Sequence, residues 1–144
     1  MKVADILRAK GSAVTTVGPD TSVVVALHRL KTGGIGALVV SADGERIDGI
    51  VSERDVVRGL AERGARILDC TVRDLMTKHV TTCGPDDPLQ HVMAEMTRRR
   101  VRHLPVVEAE QLRGIISIGD IVKARLEELE LETHVLRDAY LARH

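Results

Sequence analysis

Aromatic side chains are all but missing: one tyrosine, no phenylalanine and no tryptophan in 144 residues. That removes the stacking platforms on which most single-strand RNA and DNA binders rely. Net charge is missing as well, with 21 basic against 21 acidic residues. No global field therefore draws the chain onto nucleic acid or an anionic membrane. The only cysteines, Cys70 and Cys83, form no CxxC pair, which fits a reducing cytosol with both thiols as small apolar or incidental residues. No uninterrupted apolar run reaches membrane-spanning length, and Met1–Asp5 carries no signal-peptide apolar stretch. A soluble, cytoplasmic protein is the expectation.

Catalytic signatures are also lacking. The six histidines (His28, His79, His91, His103, His134, His144) form no HxH or HExxH pattern and no Cys/His metal spacing. Gly33–Gly34–Ile35–Gly36 precedes a strand pattern instead of following one, so it is neither a dinucleotide fingerprint nor a P-loop. No nucleophile–base pair can be named, and no enzyme is expected.

What is present is a duplication. Hydrophobic residues make up 44% of the chain and charged residues 29%, an ordinary globular profile with enough length for a real core. Val14–Thr15–Thr16–Val17–Gly18–Pro19–Asp20 recurs 66 residues on as Val80–Thr81–Thr82–Cys83–Gly84–Pro85–Asp86. Gly49–Ile50–Val51–Ser52–Glu53–Arg54–Asp55 recurs 65 residues on as Gly114–Ile115–Ile116–Ser117–Ile118–Gly119–Asp120. Val3–Leu7 resembles Val72–Met76, with a few more residues before the next matching segment in the first copy.

Each copy parses alike. A short helix (about Val3–Ala9; Val72–Thr77) leads to an extended segment at Val14–Val17 or Val80–Cys83, closed by Gly-Pro-Asp turn chemistry. An amphipathic helix follows, with Val23, Ala26, Leu27 and Leu30 at helical spacing in one copy and Leu89, Val92, Met93 and Met96 in the other. Two strands come next, Ala37–Val40 with Ile47–Val51, and His103–Val107 with Leu112–Ile116, before a closing helix at Ser52 or Ser117. The expected fold class is α+β: two tandem β-α-β-β-α repeats packed sheet to sheet about a pseudo-two-fold, since neither strand pair can cover its own apolar face. The last helix runs on without Gly or Pro beyond Gly119, with Val122, Leu126, Leu129, Thr133, Leu136 and Tyr140 alternating spacings of four and three. It either packs on its own domain or forms a dimer contact.

Ser52–x–x–Asp55 and Ser117–x–x–Asp120 each read as a capping box that needs no ligand. The pattern is kept in both copies while the residues between change, and Asp is shorter than the usual Glu or Gln, so it is expected to reach back less well to the cap amide. Free of that bond, a carboxylate there accepts hydrogen bonds from two ribose hydroxyls, while serine and helix N-terminus face phosphate. The copies differ where Gly33–Gly34–Ile35–Gly36–Ala37 faces Arg99–Arg100–Val101–Arg102–His103. The Arg98–Arg102 cluster is either a solvated helix end or a phosphate site. Arg54, Arg58 and Lys123 are further phosphate candidates.

The G-h-x-[ST]-x-x-[DN] junction, the V-T-x-x-x-x-D opening and the [LI]-P-V-V strand together resemble the CBS domain, and two in tandem resemble a CBS pair, or Bateman module. The resemblance covers nearly the whole chain apart from part of the last helix. It implies repeats at residues 1–68 and 69–130, a helical extension at 131–144, and a bound adenosine compound (AMP, ADP, ATP, NAD(H) or S-adenosylmethionine) between the repeats. It further implies no chemistry of the chain's own, a homodimer, and a separate effector protein that reads the ligand state. Carried over residue by residue, Asp55 and Asp120 hold ribose, and Ser52 and Ser117 place ribose or phosphate. Main-chain groups near Ala37 and His103 read adenine, and Thr16 and Thr82 line the pocket. Adenine lies between Ile35, Val101, Ile50 and Ile115, and Arg102 joins the phosphate candidates. The expectation is two unlike pockets, a tight mononucleotide-sized one and a roomier one beside the glycines. Two other classes stay open: an enzyme acting on nucleotides, and a nucleic-acid binder using Arg98–Arg102.

Overall fold

The computed structural model describes residues 1–143. Helix α1 (Val3–Lys10) precedes strand β1 (Thr16–Val17), helix α2 (Val23–Gly33), strands β2 (Ala37–Val40) and β3 (Gly49–Ser52), and helix α3 (Glu53–Arg63). A 3-10 turn at Gly64–Asp69 leads to α4 (Val72–Leu75), α5 (Leu89–Arg99), β4 (His103–Glu108), β5 (Gln111–Ser117) and α6 (Ile118–Arg143). In the first half β1 runs parallel to β2, which pairs antiparallel with β3 in the register Ala37↔Ser52. In the second, β4 and β5 pair antiparallel from His103↔Ser117, with a bulge between Val106 and Val107. The segment expected as the second copy's first strand, Val80–Cys83, contributes only a single parallel bridge, Cys83↔Val106. Just before it, Thr77 is drawn to the edge of the other sheet by two hydrogen bonds with Ile50, at 2.8 and 3.0 Å.

The pseudo-two-fold is legible bond by bond. The Val3 amide donates to the Asp87 carbonyl at 3.0 Å, and its counterpart Val72 donates to Thr21 at 2.8 Å. Ala4 donates to Pro85 and Arg73 to Pro19; Leu89 donates to Met1 and Val23 to Cys70. Each half thus docks its first helix on the other half.

The cores follow the same exchange. Val3 and Ile6 of α1 are buried with Leu89, Val92, Met96, Leu104, Val106, Ile116 and Ile121 of the second half. Val72 of α4, with Leu75 and Met76 beside it, closes the first-half core of Val17, Ala26, Leu30, Leu38, Val40 and Val51. The glycine that opens each duplicated junction makes the crossing possible. A Cβ at Gly114 would lie 2.7 Å from Leu7, and one at Gly49 would lie 2.7 Å from the Met76 sulfur and 2.9 Å from the Thr77 carbonyl. Helix α6 buries only Ile121 and Ala124, so its outer turns do not pack on the domain. None of the helices formed by the described residues is long and apolar enough to cross a membrane.

Candidate functional site

Strand β3 ends at Ser52, whose extended backbone (φ −119°, ψ 169°) caps α3. From that cap the Asp55 carboxylate, buried, reaches back after all: Oδ2 accepts the Ser52 amide at 2.8 Å and the Ser52 hydroxyl at 3.1 Å. Asp120 does the same with the Ser117 amide at 2.9 Å. Two further aspartates, Asp5 and Asp74, accept the amides of Lys2 and Thr71 in the same way. The expectation that aspartate reaches back less well to the cap amide is therefore corrected. With the cap residue extended, its N–H points along the helix start and a one-methylene stem suffices. Each carboxylate spends one oxygen on its cap. Among the described residues the second oxygen of Asp55 meets only long contacts, 3.4 Å from the Thr77 hydroxyl and 3.7 Å from Arg58.

Asp55, Thr77 and Arg58 all line a cavity of about 410 Å³. Ile50, Ser52, Glu53, Arg54, Asp55 and Arg58 supply one wall, Thr77, His79, Val80 and Thr81 a second, and Arg99 to Leu104 a third, with Gly36 completing the lining. Both halves of the chain thus contribute. A Cβ at Gly36 would lie 3.0 Å from the His103 ring, so glycine is what admits the imidazole here. Burial holds His103 below its ordinary pKa against the opposing pull of Asp120 and Glu53, leaving the ring neutral at pH 7. Five arginines (Arg54, Arg58, Arg99, Arg100, Arg102) stand against two carboxylates in this lining. Arg100 ends α5 in the left-handed conformation (φ 56°, ψ 41°), where the first half has Gly34 (φ 59°). Arg54 donates to the Arg100 carbonyl at 3.3 Å and ties the two walls together.

The pseudo-equivalent place around Asp120 is built differently. Between the first helix and the next matching segment the first copy carries three more residues than the second. Helix α1 accordingly runs through to Lys10, whereas α4 stops at Leu75. The extra turn delivers the Lys10 ammonium to Asp120 Oδ2 at 2.8 Å and to the Ile115 carbonyl at 2.9 Å. Burial would raise the Asp120 pKa, but the hydrogen bonds from Lys10 and Ser117 outweigh it and the net shift is downward. Lys10, Asp120, Lys123, Ala124 and Glu127 border a hollow of only about 150 Å³. Where Thr77 leaves room over Asp55, Lys10 fills the space over Asp120.

Of the residues singled out in the sequence, Ile50, Ser52, Arg54, Asp55, Arg58, Val101, Arg102 and His103 meet in the larger cavity. Asp120 and Lys123 lie together at the smaller hollow. Thr16, Ile35, Ala37, Thr82, Ile115 and Ser117 line neither. Ile35 packs on the first-half core, Ala37 is buried, the Thr16 carbonyl accepts from Arg29, and Thr82 is exposed beside the lining residue Thr81. The roomier space lies on the arginine side and touches one glycine of the Gly33–Gly36 run. Thr77 and His79 were not expected there; their signal was the shorter connection that follows Met76.

The profile of the CBS domain matches residues 3–62 and 72–127. A crystal structure of a CBS-domain containing protein from Agrobacterium tumefaciens is 47% identical and superposes with a TM-score of 0.84, covering 87% of this chain and 99% of that one. The mitochondrial CBS domain-containing protein CBSX3 of Arabidopsis thaliana is 32% identical over 96% of this chain and 71% of its own length. The CBS domain pair of protein MJ0100, solved in complex with 5'-methylthioadenosine and S-adenosyl-L-methionine, is 26% identical with a TM-score of 0.77, over 86% of this chain and 98% of that one.

Proposed function

The chain belongs to the CBS domain family, and on that footing we propose that it is a non-catalytic regulatory module whose ligand is an adenine nucleotide: AMP, ADP, ATP or NAD(H). The observation that carries the reading is a single one. A buried aspartate, Asp55, and five arginines are among the residues that line one cavity of about 410 Å³. The volume lies within the usual range for small-molecule sites. A carboxylate with a spare oxygen suits vicinal ribose hydroxyls, and guanidinium groups suit phosphate, which they grip in bidentate fashion. Ile50 and Val101 give the adenine ring aliphatic walls in place of aromatic ones.

The excess of arginine over carboxylate separates candidate ligands. MJ0100 binds the sulfonium S-adenosyl-L-methionine; a cation of that kind gains nothing from this rim, whereas each added phosphate does. Because the ligand would touch both halves, its binding would favour one relative tilt of the repeats, and a separate effector protein would read that population shift.

Calorimetry against AMP, ATP, NADH and S-adenosylmethionine tests the proposal. The nucleotides should bind with affinity that falls as salt rises, and Asp55→Asn should weaken all of them at least tenfold. Tighter binding of S-adenosylmethionine than of any nucleotide, or no heat from any of the four, would overturn it.

A further inference from the structure

We propose that the side chain of His103 makes the binding of a phosphate-bearing ligand in the larger cavity take up a proton, a property that rests on the nucleotide reading of that cavity and adds pH to it as a second signal.

Both halves of the chain place the ring. His103 opens β4 opposite Ser117, and its imidazole lies across on Gly36 of the first half, where a Cβ would stand 3.0 Å from Cε1 and 3.1 Å from Nε2. Gly36, Arg102, His103 and Leu104 all line the cavity. The first half has Ala37 at the matching position, opposite Ser52, so no second imidazole answers this one across the pseudo-two-fold. Among the described residues no hydrogen bond engages either ring nitrogen, and neither is sealed from solvent without a partner. The ring therefore has a nitrogen to offer an incoming anion.

The charges around it leave that ring poised. Asp120 of α6 and Glu53 of α3 pull a proton on, Lys10 of α1 and the adjacent Arg102 oppose them, and burial, the largest influence, keeps the ring neutral. The cavity adds Arg54, Asp55 and Arg58 from α3, Arg99 and Arg100 from the end of α5, and His79. Arginines stay charged throughout this range and carry no pH response themselves. A phosphate among them brings negative charge close to the imidazole, which favours its protonated form. The proton comes from solvent, settles on a ring nitrogen and is donated from there to a phosphate oxygen as a charge-assisted hydrogen bond. The sign follows from linkage. Bound ligand raises the pKa of the ring, so affinity is greatest at low pH and the gain disappears as pH rises through the bound-state value.

NAD⁺ is the probe, because its diphosphate bridge neither gains nor loses a proton near neutrality. Calorimetry at pH 7 in buffers of low and high ionisation heat should show uptake of a fraction of a proton. Affinity should fall about tenfold from pH 6 to pH 8. His103→Gln should abolish the uptake and flatten the profile, whereas the uptake should survive His79→Gln. In the wild-type chain, with no variant to fold, the His103 ring-proton resonance should titrate at higher pH with NAD⁺ than without it. With AMP, whose own phosphate titrates, the difference between wild type and His103→Gln isolates the ring. Binding without uptake, uptake that survives His103→Gln or vanishes in His79→Gln, or a ring resonance indifferent to ligand would overturn the role of His103 and leave the nucleotide reading standing. Absence of binding by NAD⁺ and AMP alike would overturn both.

Discussion

Lys10→Met is the substitution that asks most of the structure. Methionine keeps the apolar stem and removes the ammonium that sits on Asp120. The side chains are 34% and 24% exposed, so the pair is sheltered without being dry. At this separation of 2.8 Å and an effective dielectric near 20 the bare attraction is about 6 kcal/mol. Desolvation offsets most of it: fully exposed pairs contribute roughly 0.2–1 kcal/mol, and breaking a buried pair costs about 3–5. The coupling measured by the cycle Lys10→Met, Asp120→Asn and the double variant should accordingly be about 1–2 kcal/mol. A ribose seeking Asp120 must first displace Lys10, so the wild type should show one strong site per chain and a second about tenfold weaker. In Lys10→Met that second step should tighten by the same factor when titrated with adenosine, whose lack of phosphate removes any role for lysine as an anion partner. The pH dependence has a definite sign. Asp120 is held below the usual carboxylate range in the folded chain, so its contribution is complete above pH 4 and disappears as pH falls through its lowered pKa. Zero coupling in the cycle, or two equal sites in the wild type, would refute the reasoning.

Further tests probe the frame of the site. Gly49→Ala should destabilise by about 2–3 kcal/mol and Gly114→Ala by only about 1 in urea titrations, because the first new methyl meets the Thr77 backbone and the second only the tip of Leu7. Arg100→Gly should stabilise by about 0.5–1 kcal/mol in the same assay, by relieving a left-handed arginine, while weakening ATP more than AMP. Burial, with Asp87 adding to it, pushes the Cys83 thiol up to about 12, so thiol reagents should label half-buried Cys70 and leave Cys83 untouched until unfolding.

Much of this was legible in the residues. Strand β2 begins and ends where the apolar run Ala37–Val40 and the turn after it place it, and the two Ser/Asp junctions stand at strand–helix boundaries as the repeat demands. The exchange of first helices was not legible. Val3–Leu7 and Val72–Met76 announce that they are equivalent, but equivalence is silent on which core each one covers. The glycines at 49 and 114 held part of that information, since a strand surface without a side chain invites a crossing element. The closed state of the Asp120 side was written in the three extra residues that hold Lys10. Reading it required knowing that they prolong a helix and do not loop out. The second copy's first strand is reduced to the single bridge Cys83↔Val106, and Thr77 joins the opposite sheet, non-local pairings that local pattern does not rank.

The crossed helices bear on how such a chain could arise. A polypeptide carrying only one of the halves would expose the strand surface that Gly49 or Gly114 leaves bare, and would find its lid only on another molecule. Joining two copies end to end replaces that encounter with a tethered one, at an effective concentration set by the connecting residues. The two halves are then free to diverge, one keeping its opening and the other stopping it with a lysine, because neither has to serve as its own mirror image any longer.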